Sequence, residues 1–316
     1  MSDSVANTKF TRLRTRSGSR ARDRWLREAR ERFVAVLLFF AGLSSILVTV
    51  AIVGVLIFES LGFFARVSVF EFLTGTVWTP QFANPRYGIL PLVAGTAVTT
   101  TVALSVALPI GTIVAIYLSE FAPFALREAI KPALELLSAV PTVVYGYFAL
   151  QFVAPLMQYL IPGLPTFNML SAGLVMGIMI IPYVSSLSED AMRSVPMLLR
   201  EGSYALGGNR IWTAVNVVVP SALSGIGAAY ILGISRAIGE TMIVAVAAGM
   251  QPNFTLNPTK PAATITAYIV QVSLGDVPHG SIGYQSIFAA GLTLFCATLF
   301  FNLLGHYLRR KFHKAY

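Results

Sequence analysis

Residues 33–58 read FVAVLLFFAGLSSILVTVAIVGVLIF, a run of 26 residues without a charged side chain. An α-helix rises about 1.5 Å per residue, so this run makes a helix of roughly 39 Å. The hydrocarbon core of a bilayer is only about 30 Å thick. The run is too long for the apolar part of a cleaved signal peptide, and no small-residue cleavage site follows it. It therefore predicts a helix that crosses a membrane.

The composition of the whole chain points the same way. Of its 316 residues, 55% are hydrophobic and 12% are charged, and the mean hydropathy is +0.71. A soluble domain carries about 25% charged residues to cover its water-facing surface. Disordered chains combine low hydrophobicity with high charge. Both classes are excluded, which leaves an all-α integral membrane protein.

Five further segments are long and apolar enough to complete the membrane domain. We predict six transmembrane helices, at about 33–58, 89–118, 133–155, 168–187, 222–249 and 283–307. The fourth contains Gly173-x-x-x-Gly177, a pattern of small residues that lets two helices approach closely.

The distribution of basic residues predicts the orientation of these helices. Residues 1–32 hold ten Lys/Arg against four Asp/Glu, and the last residues of the chain are also basic. With an even number of spans, the loops at 59–88, 156–167 and 250–282 lie on the side opposite to the termini. Their only Lys/Arg residues are Arg66, Arg86 and Lys260. Because basic residues are retained on the cytoplasmic side, both termini are predicted to be cytoplasmic.

This orientation defines the predicted domain organisation. It consists of a basic cytoplasmic segment at 1–32, one transmembrane domain at 33–307 with a cytoplasmic loop at 188–221, and a basic cytoplasmic tail at 308–316. The basic segments flank membrane spans and carry no recognition motif for nucleic acid. We therefore expect them to contact anionic membrane lipid and no nucleic acid.

The longest polar stretch of the predicted cytoplasmic side contains a short helix. Ser194 and Pro196 are residues that begin helices, and Gly207-Gly208 is a pair that ends them. The helix between them has an apolar side, formed by Leu198, Leu199, Ala205 and Leu206. A half-apolar helix outside the bilayer is typical of one that packs into a groove on a partner.

This stretch resembles the EAA loop of ABC importer permeases, with Gly and Ser where the family usually has alanines. The motif positions are Glu201, Gly202, Ser203, Gly207, Val217, Val219 and Pro220. The resemblance implies that this loop docks into a cleft on a cytoplasmic ATPase. None of the five lysines follows a glycine, so the chain has no P-loop of its own and ATP hydrolysis must come from another polypeptide.

Two charges, Arg236 and Glu240, lie within the predicted fifth helix. A charge at the centre of a bilayer costs about 2.5–3.5 kcal/mol on insertion scales, so both side chains are expected to face protein or a water-filled path. Four residues apart, they share one helix face and can pair. Either the two charges only neutralise each other, or the Arg236 guanidinium binds an oxyanion whose release Glu240 assists.

Stretches spread in order over residues 30–310 resemble the phosphate-importer permease of the PstC type. They are Trp78-Thr-Pro80, Tyr87-Gly88-Ile-Leu-Pro91, Tyr117-Leu-Ser-Glu120, Val140-Pro141-Thr-Val-Val-Tyr145-Gly146, Ile181-Pro182-Tyr183, Ser188-Glu189-Asp190-Ala-Met-Arg193 and Arg236-Ala-Ile-Gly-Glu240-Thr-Met242.

The resemblance implies a MetI-like transmembrane fold in a bacterial inner membrane, with Arg236 and Glu240 on the phosphate path. It also implies a second permease of the PstA type, two copies of a cytoplasmic ABC ATPase and an extracytoplasmic phosphate-binding protein. The chain is then a transport subunit with no catalytic residue, metal or cofactor. The three histidines are scattered and show no metal-ligand spacing.

The chemistry of the solute bears on the role of Glu240. Inorganic phosphate keeps a proton near neutral pH and can donate a hydrogen bond to a carboxylate, whereas sulfate is fully deprotonated and cannot. Glu240 is therefore predicted to favour phosphate. The alternatives are a permease for another oxyanion such as molybdate or sulfate, the partner phosphate permease, a proton-coupled secondary anion transporter, and a membrane scaffold in which the two charges only serve packing.

Overall fold

The protein is built from α-helices joined by short connections. The structure, a computed structural model, describes the backbone of residues 3–312 and the side chains of Glu28 and residues 30–307. Within that part there is no β-strand, only an isolated antiparallel bridge between Trp78 and Tyr87. Most side chains of the predicted basic segments at 1–32 and 308–316 lie outside the described residues. The all-α fold predicted from composition is confirmed.

The helices follow one another along the chain with few long connections. They are α1 (Asp3–Phe64), α2 (Val69–Thr74), α3 (Leu90–Ile116), α4 (Phe124–Ala139), α5 (Thr142–Phe148), α6 (Ala154–Leu160), α7 (Met169–Arg193), α8 (Met197–Ala205), α9 (Arg210–Thr213), α10 (Val219–Ser221), α11 (Leu223–Ile238), α12 (Met242–Ala247), α13 (Ile265–Ser273) and α14 (Ile282–Phe312). Three π-helical turns, at Tyr117–Phe121, Ala149–Val153 and Ala214–Val218, continue α3, α5 and α9.

The chain divides into two units, residues 1–56 and residues 57–316. The first contains most of α1, and its apolar side chains from Phe33 to Ile52 are exposed. Exposed apolar side chains suit a helix that is surrounded by lipid. The second unit contains all the other helices and every site discussed below.

Five helical segments among the described residues are long and apolar enough to cross a membrane. They are Arg30–Phe64, Leu90–Phe121, Thr142–Leu160, Met169–Arg193 and Ile282–Tyr307. A sixth span is obtained when Arg210–Ser221 and Leu223–Ile238, which meet at a bend of 72°, are counted together. Four of the six predicted spans are confirmed with shifted ends, and the third and fifth differ in a way that matters for the site.

The predicted third span, 133–155, was wrong at its start. Val140 adopts an extended conformation with ψ 130°, and this breaks the chain into α4 before it and α5 after it. The cause is Pro141, because a proline disfavours the helical conformation of the residue that precedes it. The crossing segment is therefore Thr142–Leu160, and α4 is a separate helix with no fully buried residue.

The predicted fifth span, 222–249, was wrong as one continuous helix. Helix α11 ends at Ile238, and α12 begins only at Met242. With 16 residues, α11 is about 24 Å long, which is less than the thickness of the hydrocarbon core. The backbone between the two helices, at residues 239–241, is therefore non-helical.

Helices α3 and α7 pack at unusually close range, and glycines make this possible. A β-carbon added at Gly177 would lie 2.7 Å from the carbonyl oxygen of Ala103, and one added at Gly111 would lie 2.8 Å from a Val184 methyl group. Gly173, one turn before Gly177, also faces α3. The close helix approach predicted from Gly173-x-x-x-Gly177 is confirmed. These contacts hold the centre of the membrane domain together.

We expect Gly177→Val to destabilise the protein by about 1–3 kcal/mol, because the added side chain meets backbone that no rotamer change can move away. The measurement is the midpoint of thermal unfolding in detergent. Gly227→Val on α11 is the matched control, since no atom lies within 4 Å of the β-carbon position there. Equal midpoints for the two variants would contradict the packing argument.

Candidate functional site

Arg236 lies in the last turn of α11, and an aromatic ring holds its side chain. The guanidinium carbon is 4.2 Å from the centre of the Tyr183 ring on α7, a cation–π contact. The Tyr183 hydroxyl donates to the carbonyl oxygen of Ser138, at 3.5 Å, near the end of α4. The ring thus fixes one face of the guanidinium and leaves its edge available.

That edge carries unused hydrogen-bond donors. Arg236 Nε is buried and has no hydrogen-bond partner among the described residues, and the side chain forms no ion pair with an acid in that part of the chain. Arg236 lies about 20 Å along the axis from the start of α11, in the second half of the sixth candidate span. A cation within an apolar span needs a compensating charge or water. The arrangement is chemically suited to bind an anion.

The shared helix face predicted for Arg236 and Glu240 was wrong, and the pairing that was one of the two alternatives is absent among the described residues. The helix ends between them, so the two residues no longer share a helix face. Glu240 is only 8% exposed, and its Oε1 accepts hydrogen bonds from the backbone N–H groups of Met242 and Ile243, at 3.1 and 3.3 Å. The carboxylate therefore caps the start of α12 and does not neutralise Arg236.

The backbone of Glu240 is held as well. Thr266, on α13, donates its hydroxyl to the Glu240 carbonyl oxygen at 2.7 Å. The second carboxylate oxygen, Oε2, accepts no hydrogen bond from the described residues. One carboxylate oxygen of Glu240 thus binds the backbone of α12, and the other has no donor among the described residues.

The second candidate region is the loop between α7 and α11. The short helix predicted between Ser194 and Gly207 is present as α8, with Pro196 preceding its first residue. Gly207 has φ +87°, a left-handed conformation that glycine adopts without strain and that ends the helix. Asn209 then begins α9 by accepting a hydrogen bond from the Trp212 N–H at 2.8 Å.

Helix α8 presents much of its surface to solvent. Leu198 is 78% exposed and Leu206 is 92% exposed, and Glu201 and Gly202 lie between them on the exposed part of the helix. Exposed apolar residues next to one another commonly mark an interaction surface. We call the exposed residues Met197, Leu198, Glu201, Gly202, Tyr204, Ala205 and Leu206 the α8 surface.

The remaining motif residues are placed differently. Ser203 is buried, and its hydroxyl shares a 2.7 Å hydrogen bond with the Thr213 hydroxyl, which joins α8 to α9. Gly207 lies in the turn. Pro220 lies in α10, immediately before the 72° bend into α11, and is not part of the α8 surface. The structure thus brings Glu201, Gly202 and Gly207 to one exposed region, whereas Ser203 is buried and Pro220 is exposed but lies apart from α8, in α10.

A buried ion pair, which sequence reasoning missed, anchors α8. Arg200 forms two contacts with Glu120, at 2.9 Å from Nη2 to Oε1 and 3.3 Å from Nε to Oε2. The two residues are 80 positions apart, so no local spacing could reveal the pair. The sequence does offer one indication of the pair. Glu120 is an acidic residue at the end of an apolar span, where an isolated charge needs a partner.

A second group of charges lies on the same side of the molecule. Glu189, on α7, is fully buried and has Lys131, Arg127 and Arg193 as ion-pair partners, at 2.7, 3.7 and 3.5 Å. Lys131 also reaches Asp190 at 2.9 Å. Burial tends to lower the pKa of Lys131, but the hydrogen bonds and charges of Glu189 and Asp190 outweigh it and raise this pKa above its usual value. These contacts fix α4 to α7.

Comparison with known proteins identifies the family. Residues 107–314 match the family described as "Binding-protein-dependent transport system inner membrane component". A probable ABC transporter permease protein of Bacillus subtilis, YqgH, is 36% identical over 78% of this chain and 80% of its own length. The phosphate transport system permease protein PstC of Mesorhizobium japonicum is 32% identical over 84% of this chain and 86% of its own length.

The fold is shared with solved importers. A chain of a bacterial alginate ABC transporter, in complex with a periplasmic protein that carries an alginate pentasaccharide, superposes with a TM-score of 0.62 at 16% identity, over 88% of this chain and 96% of that one. At this identity the similarity concerns the fold alone.

Members of this family are membrane components of ABC importers and not enzymes. They work with a separate ATPase that hydrolyses ATP and with a substrate-binding protein. The secondary-transporter and scaffold alternatives are thereby set aside. Since the matched family covers well over half of the sequence, the chain belongs to the binding-protein-dependent transport system inner membrane components and is a multi-pass inner-membrane permease.

Proposed function

We propose that this chain is a transmembrane permease subunit of an ATP-driven importer of inorganic phosphate. The names of its relatives support phosphate as the solute, since PstC proteins that are 31–33% identical are phosphate transport system permeases. The structural observation that carries the proposal is Arg236, a guanidinium at membrane depth with a free buried donor and no acidic partner among the described residues.

Arg236 and Glu240 form the substrate path in this proposal. A guanidinium offers paired planar donors that match a tetrahedral oxyanion. Tyr183 keeps the guanidinium in place from behind, so that little side-chain entropy is lost when the anion binds. Glu240 Oε2 accepts a hydrogen bond from the O–H group of hydrogen phosphate. Sulfate, which carries none, meets an uncompensated negative charge there. Molybdate and sulfate importers, and the partner phosphate permease, are the alternatives that solute competition in a reconstituted importer distinguishes.

The α8 surface is the contact with the ATPase. Its exposed leucines supply apolar area, and the exposed carboxylate of Glu201 lies between them. This assignment places α8 and the loop at 188–221 in the cytoplasm, together with the segments at 1–32 and 308–316. The proposed complex contains a second permease of the PstA type, two ATPase copies and an extracytoplasmic phosphate-binding protein.

Arg236→Gln is expected to lower phosphate uptake by about ten- to a hundredfold, because a charge-assisted hydrogen bond contributes about 1.5–3 kcal/mol. The measurement is uptake of radiolabelled phosphate by cells that depend on this importer, at equal amounts of permease in the membrane. Lys260→Gln is the matched control, since Lys260 is an exposed cation outside the helices. Unimpaired uptake in Arg236→Gln would remove the residue from the path while leaving the family assignment intact.

Glu240→Gln is expected to reduce the preference for phosphate over sulfate by roughly tenfold, the size of one hydrogen bond to a charged group. Glutamine keeps the oxygen that caps α12 and removes the negative charge, so the fold is retained. The readout is inhibition of labelled phosphate uptake by sulfate over a range of concentrations. Glu71→Gln, at an exposed glutamate on α2, is the control. An unchanged inhibition constant for sulfate would refute the selectivity role.

Leu198→Asp is expected to release the ATPase, because it places a charge in the centre of the α8 surface and costs on the order of 2 kcal/mol of binding free energy. The measurement is the amount of ATPase that co-purifies with tagged permease. Leu256→Asp serves as the control, since Leu256 is 73% exposed but lies in the segment between α12 and α13. If both variants retain equal ATPase, α8 is not the docking helix.

A further inference from the structure

The Glu120–Arg200 pair joins the exposed helix of the loop to the membrane-spanning part of the chain. Glu120 belongs to the π-helical turn that ends the α3 span, and Arg200 is the residue of α8 immediately before Glu201. Both are nearly fully buried, with side-chain exposures of 5% and 11%. We propose that this pair is the rigid connection through which movement of α8 reaches α3.

Most N–H groups of the Arg200 guanidinium donate a hydrogen bond. Besides its two contacts with Glu120, its Nη1 donates to the carbonyl oxygen of Val195 at 2.6 Å, and its Nη2 donates to that of Met192 at 2.9 Å. Glu120 in turn accepts from the Ser119 hydroxyl at 2.8 Å. A guanidinium–carboxylate contact through two hydrogen bonds fixes the orientation of the two side chains as well as the distance between them. The side chain therefore cannot pivot without breaking several hydrogen bonds at once.

Burial makes this connection stiff. Separating the two charges in the interior leaves each without its opposite charge, which is strongly unfavourable, whereas exposed pairs separate at little cost. Below the pair lies an apolar cluster formed by Ala115, Met192, Val195, Val218, Ala222 and Ile226, against which Leu199 of α8 packs. A displacement of α8 is thus resisted by both the ion pair and the packed cluster.

The connection continues from the π-helical turn into α4. Arg127 donates from Nε and Nη2 to the carbonyl oxygen of Leu118 and from Nη2 to that of Ser119, at 2.8, 2.5 and 3.1 Å. Lys131, one turn later on α4, pairs with buried Glu189 of α7. Polar contacts therefore link α8, the end of α3, α4 and α7 in one continuous series. Such a series is a physical route for coupling, and its use is tested by mutation.

The inference rests on the proposal that the α8 surface contacts the ATPase. Its test is the transport ratio, the number of labelled phosphate ions moved per ADP formed, in the complete importer reconstituted into vesicles with its binding protein. Glu120→Gln should leave the ATPase bound and ATP hydrolysis active but lower the transport ratio by roughly fivefold. Arg86→Gln, which removes an exposed pair with Glu71 at 3.7 Å, is the matched control and should leave the ratio unchanged.

Two further variants separate transmission from folding. Arg200→Lys keeps the positive charge but cannot form two hydrogen bonds with the Glu120 carboxylate. Glu120→Asp keeps the negative charge on a shorter side chain. Both variants should assemble and give an intermediate transport ratio. A normal ratio in any assembled variant of the pair would overturn the inference. Failure of all three variants to assemble would also overturn it, because the pair would then serve folding alone. Retention of the ATPase by Leu198→Asp would instead refute the proposed docking surface, independently of these ratios.

Discussion

Backbone N–H and C=O groups inside the hydrocarbon must find partners within the protein, and the interruptions of the helices lie where side chains supply those partners. At the end of α11, Glu240 accepts from the two N–H groups that begin α12, and Thr266 donates to the Glu240 carbonyl. At the break after α4, the Tyr145 hydroxyl donates to the carbonyl oxygen of Leu137 at 2.7 Å. Non-helical backbone is tolerated at these points because it is satisfied.

The buried charges must also find partners, and among the described residues they fall into two groups. Buried charges near the loop that carries α8 are paired, and they join helices to one another. Arg236 differs, because its guanidinium lies against the Tyr183 ring and has no acidic partner among the described residues. The charges around α8 are thus cross-linked, whereas Arg236 has no acidic partner among the described residues and, in the proposed function, binds the solute. In a permease, this division suits an end that is driven by a motor and a centre that must bind and release.

Composition alone predicted most of the fold, because a span is recognised by the length of its apolar run and that length is set by the bilayer. The breaks were harder to predict. Val140 and Pro141 fell inside an uncharged run, and only the conformational restriction that proline imposes on its neighbour ends the helix there. The break at Gly239 is stabilised by the Glu240 carboxylate, which accepts hydrogen bonds from the first N–H groups of α12. A hydropathy pattern contains no information on such a contact.

The site was predicted in part for similar reasons. The motif spacing located α8, and the cost of charge in a membrane singled out Arg236 and Glu240. Their geometry was wrong because the prediction assumed one unbroken helix. The Glu120–Arg200 pair and the Tyr183 contact were missed because they join residues that are distant in sequence. Such contacts depend on how the helices pack, and one sequence without its fold does not specify them.

The two oxygens of Glu240 have a consequence for how such a protein diversifies. One oxygen caps α12 and, in the proposed function, the other receives the solute, so a replacement that keeps an oxygen in the first position can alter the local charge without disturbing the cap of α12. A change of preferred anion is then accessible by a single conservative step at this residue. No equivalent substitution exists at Arg236, because every neutral residue removes the positive charge that attracts an anion.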